Sequence, residues 1–337
     1  MAPRETERFD LGHLPLQNGA TLHDAFLIYK TWGTLNAERT NAVVLPTAYG
    51  GTHADNAWLM ESGRALDAAR WFVISANMFG AGLSSSPSTI VGAQHGADFP
   101  NITVYDNIIA QQRLVTERFG LTKLALVAGF SMGAIQSFHW AAAFPEMVER
   151  IAPYCGSARC AHHNYIFLEG IKATLTADPV FADGRYVEQP TVGKRAVGRV
   201  WAGWGLSQTF YREERWTDLG FDSRDAVLES YADSFDAADA NDLLAMLWTW
   251  QHADISAHPK FAGDFKGALA AIACDAIVMP SRSDLYFPPE DSEIEVRHMP
   301  KAELAVIPSV WGHAAGGTTN ASDTDFINTH IAKLLAR

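Results

Sequence analysis

Leu124-Ala125-Leu126-Val127-Ala128-Gly129-Phe130-Ser131-Met132-Gly133 joins an apolar run to a serine set between two glycines. Downstream, Ile135, Phe138 and Ala142 recur at helical spacing until Pro145 ends the pattern. A strand that passes into a helix through Gly-X-Ser-X-Gly forces the serine into a tight bend. Its hydroxyl is then exposed beside the free N–H groups of the helix start. Gly129 and Gly133 lack a Cβ, which lets strand, turn and helix approach closely. The stretch nominates Ser131 as a nucleophile and makes a demand on the rest of the chain. A basic imidazole and an orienting carboxylate must arrive from later loops.

Outward from this stretch, apolar runs at 25–29, 42–45, 71–75, 151–154, 276–279 and 304–307 alternate with helical or loop segments. Over 104–119, Ile108, Val115 and Phe119 share one helical face, and a final helix is expected over 322–336. Strands alternating with helices predict an α/β fold with a mostly parallel central sheet flanked by helices. The regularity breaks over 155–264, which is helical in pattern. That interval holds five of the ten tryptophans: Trp201, Trp204, Trp216, Trp248 and Trp250. Residues 1–154 and 265–337 read as the core, and 155–264 as an inserted helical lid. The lid is expected over the carboxyl edge of the sheet, where α/β folds bind ligands.

In such sheets the acid and the histidine follow the serine in that order, each on a loop after a later strand. The run 276–279 leads into Ser281-Arg282-Ser283-Asp284, and 304–307 leads into Pro308-Ser309-Val310-Trp311-Gly312-His313. Ser131, Asp284 and His313 are therefore the expected catalytic residues. Asp275 and Asp291 are rival acids, but Asp275 enters a strand and Asp291 is placed to begin a helix. An oxyanion hole needs two backbone donors aimed at the developing charge. One is expected from Met132, directly after the serine. The other is expected from the loop Pro46-Thr47-Ala48-Tyr49-Gly50-Gly51, with Ala48 first and Tyr49 second.

The 337 residues are 48% hydrophobic and 19% charged, which suits a large folded α/β domain and argues against disorder. A net charge of −12 disfavours nucleic acid and anionic membranes as partners. Cys155, Cys160 and Cys274 are sparse, odd in number and without CxxC spacing, as expected of free thiols in a reducing compartment. The N-terminal Met-Ala-Pro-Arg-Glu-Thr-Glu-Arg has no apolar core of a secretory signal, and no long apolar span follows. Cytoplasmic residence is the expectation. Gly80-Ala81-Gly82 lacks the third glycine of a dinucleotide fingerprint, and no phosphate-binding GxxxxGK[ST] occurs. The pair His162-His163 has no companion ligands at metal spacing. No cofactor or metal is expected.

Several segments together resemble the homoserine O-acetyltransferase family of α/β-hydrolases. They are YKTWGTLNAERTNAVVL at 29–45, ARWFVISANMFGAGLSSSPS at 69–88, 98–119, GFSMG at 129–133 with Gln136, SDLYFPP at 283–289 and GH at 312–313. The resemblance implies an α/β-hydrolase fold, the triad Ser131, Asp284 and His313, a helical lid, an acetyl-serine intermediate and a homodimer. The chain departs from that family where the acceptor binds. Phe130 stands where the transferases carry glycine, and Ala314 where they carry an aspartate suited to the acceptor's ammonium. Arg195 and Arg199 compete for the place of a carboxylate-holding lid arginine. A zwitterionic acceptor needs fixed opposite charges, and an unpaired buried ammonium costs several kcal/mol. The expected activity is hydrolysis of small neutral acetyl esters, with acetyl transfer from acetyl-CoA to a hydroxyl acceptor such as homoserine as the alternative.

Overall fold

The computed structural model describes residues 6–337; residues 1–5, part of the expected core range and of the N-terminal stretch read for a signal, lie outside them. Strands β1 (Glu7–Pro15), β2 (Thr21–Trp32), β3 (Ala42–Val44), β4 (Phe72–Ala76), β5 (Leu126–Phe130) and β6 (Arg150–Tyr154) come first. A short separate hairpin of β7 (Phe181–Ala182) and β8 (Arg185–Tyr186) follows, then β9 (Asp275–Val278) and β10 (Ala302–Leu304). All but the hairpin build one eight-stranded sheet in the order β1-β2-β4-β3-β5-β6-β9-β10. The first two strands pair antiparallel with each other and β2 antiparallel with β4; the remaining pairs are parallel.

Helices cover both faces. In chain order they begin with α1 (Val104–Arg113) and α2 (Met132–Ala143), the latter packed on β5 and β6, followed by α3 (His162–Thr176), α4 (Thr191–Gly205), α5 (Gln208–Arg212), α6 (Arg224–Asp233) and α7 (Ala240–Gln251). The last three are α8 (Phe265–Ala270), α9 (Pro289–Val296) and α10 (Ala321–Leu335). Alternate side chains of a strand serve opposite layers. Val127 packs with Ile135 and Phe138 of α2, whereas Leu126 and Ala128 join the layer of Ile327, Ile331 and Leu334 from α10. This double burial is why the central strands are continuous apolar runs.

Local signals fix the ends. Thr103 and Asp106 form a reciprocal capping box at the start of α1. The expected helix over 104–119 is α1 followed by a π-helical turn over Leu114–Arg118. The run 304–307 is strand only over β10, with Ile307 making a single bridge to Ser281. The interval between β6 and β9 is occupied mainly by α3–α8. Within it α4 packs on α3 and α6, and α3 on α7. Asp242 of α7 accepts from Ser88 N–H (2.9 Å) and Oγ–H (2.6 Å), fastening the insertion to the loop after β4.

Candidate active site

Ser131 sits between β5 and α2 with φ 56° and ψ −120°, a conformation that a non-glycine residue adopts only when its surroundings enforce it. The enforcement is visible. A Cβ on Gly129 would lie 2.5 Å from the Gly133 backbone, and one on Gly133 2.6 Å from the Pro46 carbonyl oxygen. Only glycines allow β5, α2 and the loop after β3 to meet here. The Ser131 N–H donates to the Tyr154 carbonyl of β6 (3.1 Å), locking the bend to the neighbouring strand.

Asp284 and His313 arrive on the loops after β9 and β10. His313 Nδ1 lies 2.7 Å from Asp284 Oδ2, and Nε2 lies 3.0 Å from Ser131 Oγ. The three residues, 182 positions apart at the extremes, form one buried chain of hydrogen bonds. The carboxylate only accepts, so it fixes the proton on Nδ1 and leaves the Nε2 lone pair facing the hydroxyl. Asp284 Oδ1 is held by the N–H groups of Tyr286 (2.8 Å) and Phe287 (3.2 Å). Ser283 couples the two loops: its Oγ accepts from Gly312 N–H and donates to the Ser309 carbonyl. The rival acids lie elsewhere. Asp275 opens β9, with Lys301 4.0 Å away, and Asp291 lies within α9.

Aromatic rings surround the imidazole. Phe130 lies 4.6 Å from it, centroid to centroid, at 30°, and Tyr286 meets it edge-on at 4.8 Å. Trp201, Trp204 and Trp250 of the insertion pack around Tyr286, whereas Trp216 packs on Tyr211 and Trp248 stacks on His252. Three of the five insertion tryptophans thus converge near the histidine and two do not. A cavity of about 450 Å³ beside this group is lined by Ala48, Trp58, Phe130, Tyr154 and Gly316, among others.

Met132 begins α2, so its N–H has no intrahelical acceptor. Neither it nor the Ala48 N–H is taken by a hydrogen bond among the described residues. Tyr49, the second choice for that loop, stacks under Trp201 (5.1 Å) and donates its hydroxyl to the Leu243 carbonyl. Burial pushes its phenol far above the usual range. Cys155, on the loop after β6, is likewise a poor nucleophile: burial, then the Asp284 charge, raise its thiol well above normal.

The candidate lid arginines are both paired with carboxylates. Arg195 is engaged by Glu229, Asp233 and Asp236, and Arg199 by Glu229. Ala314 follows the histidine. Two features escaped the sequence reading: Phe130 and Tyr286 packed against His313, and a fully buried amide pair, Gln111 and Gln136. A glutamine on the apolar side of the helix that follows Ser131 was the available signal for the second.

Residues 41–173 match a family model described as the alpha/beta hydrolase fold. A probable esterase of Corynebacterium glutamicum is 38% identical over 94% of this chain and 91% of its own. The ethyl acetate hydrolase of Pseudomonas veronii is 36% identical over 98% and 95%, and a homoserine O-acetyltransferase of Trichormus variabilis 30% over 92% and 90%. The solved structure of an acetylester hydrolase from Corynebacterium glutamicum superposes with a TM-score of 0.94 at 36% identity, covering 99% of this chain and 96% of that one. The chain belongs to the α/β-hydrolase family, among the esterases that are related to the homoserine O-acyltransferases.

Proposed function

We propose that the protein is a serine carboxylic ester hydrolase that cleaves small neutral acetyl and other short-chain acyl esters through an acyl-serine intermediate. The observation that carries this is the unbroken contact Asp284–His313–Ser131, at 2.7 and 3.0 Å. Ser131 Oγ attacks the ester carbonyl as His313 Nε2 takes its proton, and Asp284 stabilises the imidazolium that forms. The N–H groups of Met132 and Ala48 receive the oxyanion. The alcohol leaves with the proton from His313, and a water deprotonated by the same nitrogen frees the acid.

Water rather than a zwitterionic acceptor is favoured because the two candidate lid arginines and the position after His313 offer it no free charge. Arg195 and Arg199 are consumed by carboxylates and Ala314 is neutral. Losing one charge-assisted contact, roughly 1.5–3 kcal/mol, weakens such an acceptor about ten- to hundredfold. Residues 155–264 act as the lid over a core of 1–154 and 265–337. Supporting this, Asp242 grips the loop after β4, and Tyr49 ties the loop after β3 to α7. The homodimer belongs to this reading through the family resemblance, and light scattering tests it. Cytoplasmic residence is supported by three unpaired cysteines. No helix of the described residues is long and apolar enough to cross a membrane.

The deciding experiment incubates the protein with ethyl acetate in water and, separately, with acetyl-CoA plus L-homoserine. Acid release from ethyl acetate, unaffected by homoserine, is expected. Rapid CoA release that depends on homoserine would establish the transferase alternative instead.

A further inference from the structure

The geometry points to Gln136 as the positioning residue that aims the Ala48 N–H at the oxyanion; this rests on the ester-hydrolase reading of the site. Gln136 is completely buried on α2, one turn beyond Met132. Its Nε2 donates to the Thr47 carbonyl (2.8 Å) and, more weakly, to the Met132 carbonyl (3.2 Å). Its Oε1 accepts from Gln111 Nε2 (2.6 Å), and Gln111 Oε1 accepts from the Trp140 indole N–H (2.9 Å).

This relay has only one consistent direction. An indole nitrogen can only donate and a backbone carbonyl can only accept. Trp140 therefore fixes which end of the Gln111 amide faces it. Gln111 in turn fixes the Gln136 amide, so that its NH₂ meets Thr47. In a trans peptide the carbonyl oxygen and the following N–H point in opposite directions. Drawing the Thr47 oxygen toward Gln136 consequently turns the Ala48 N–H away from that amide, where no acceptor among the described residues takes it. The Thr47 hydroxyl is held as well, accepting from the Met78 N–H (3.1 Å). Gln136 thus joins the peptide bearing one oxyanion donor to the helix turn bearing the other. An isolated loop of Ala, Tyr and Gly would not hold that orientation to the tolerance an oxyanion hole needs.

The test replaces Gln136 by Met, which keeps the volume and removes the amide, and in parallel replaces Gln111 by Met, which strips the Gln136 Oε1 of its donor and so loosens the amide. Each variant is measured for kcat and KM on ethyl acetate. Each is also measured for inhibition by a trifluoromethyl ketone, whose adduct with Ser131 places an oxyanion in the hole. For Gln136→Met the expectation is a kcat at least tenfold lower, KM within threefold, and ketone affinity weakened by the same factor as kcat. The shape of the pH profile should not change. Gln111→Met should change both quantities in the same direction by a smaller factor, threefold or more. Should Gln136→Met fail to fold, Gln111→Met decides alone. A folded variant with unchanged ketone affinity, whatever its melting temperature, overturns the assignment. A wild-type protein that binds the ketone but leaves ethyl acetate intact sinks the substrate reading, while the ketone series still judges Gln136.

Discussion

Replacing Asp284 by Asn changes one atom and should cost nearly all activity. Asp284 Oδ1 is pinned by two backbone N–H groups, from Tyr286 and Phe287, while Oδ2 faces His313 Nδ1. In the variant the amide oxygen must take the first place, leaving NH₂ toward the imidazole. Turning the amide over would forfeit two hydrogen bonds at about 1 kcal/mol each and set buried donors against one another, an additional penalty of about 1–3 kcal/mol. The turned form is therefore at or below the per cent level. With NH₂ donating to Nδ1, the imidazole proton moves to Nε2, which can no longer accept from Ser131 Oγ. The same inversion in serine proteases lowers kcat by roughly 10⁴, or about 5.4 kcal/mol at 1.36 kcal/mol per tenfold. The side chain is fully enclosed and the substitution is isosteric, so the fold should be kept. Initial rates on ethyl acetate, paired with thermal unfolding by circular dichroism, make the measurement. A variant with an unchanged melting temperature and more than a tenth of the wild-type kcat/KM would refute the role given to Asp284.

Ser131→Ala should abolish both turnover and stoichiometric labelling by an organophosphonate, read by intact-protein mass spectrometry; persistent labelling would mean another nucleophile. Gly316→Ala would set a Cβ 2.2 Å from the Phe130 ring and 3.1 Å from Cys155 Sγ. It should destabilise the protein by about 1–3 kcal/mol through overpacking and, by displacing Phe130 from the imidazole, lower kcat; calorimetry and rates check the pair. Glu295 is buried, with Oε2 unpartnered among the described residues, and burial first, then Asp291, raises its carboxyl from 4.5 to about 8. The folded chain thus holds a proton that the unfolded chain releases, so this group's contribution to stability falls as pH rises from about 4.5 to 8 and is level above that. Glu295→Gln should remove that decline, so urea midpoints of variant and wild type diverge with pH over this window; parallel curves would contradict it.

Much of the site was legible because its chemistry constrains short segments. The bend at Ser131 requires particular neighbours on either side, and the loops carrying Asp284 and His313 follow apolar runs that double burial makes conspicuous. What stayed hidden depends on partners distant in sequence. β1 reads Glu-Arg-Phe-Asp-Leu-Gly-His-Leu-Pro, polar and interrupted, and is a strand only because β2 pairs with it across two irregularities near Gly12. The ladder of β10 ends at Leu304 although the apolar run continues to Ile307. Arg195 and Arg199 could not be distinguished by spacing, since their occupation by α6 carboxylates is a fact of helix packing. Three tryptophans gather near His313 while two serve other contacts, a division that composition alone cannot make.

The insertion leaves the sheet after β6 and the chain rejoins it at β9, and these two strands are direct neighbours. A crossover containing little more than α8 would connect them with the same register. The intervening hundred or so residues nonetheless brace the two loops that carry Asp284 and His313: Asn164 donates to the Tyr286 carbonyl and Ser207 to the Val310 carbonyl. Ester preference can be redrawn along that one excursion only where those two braces are kept.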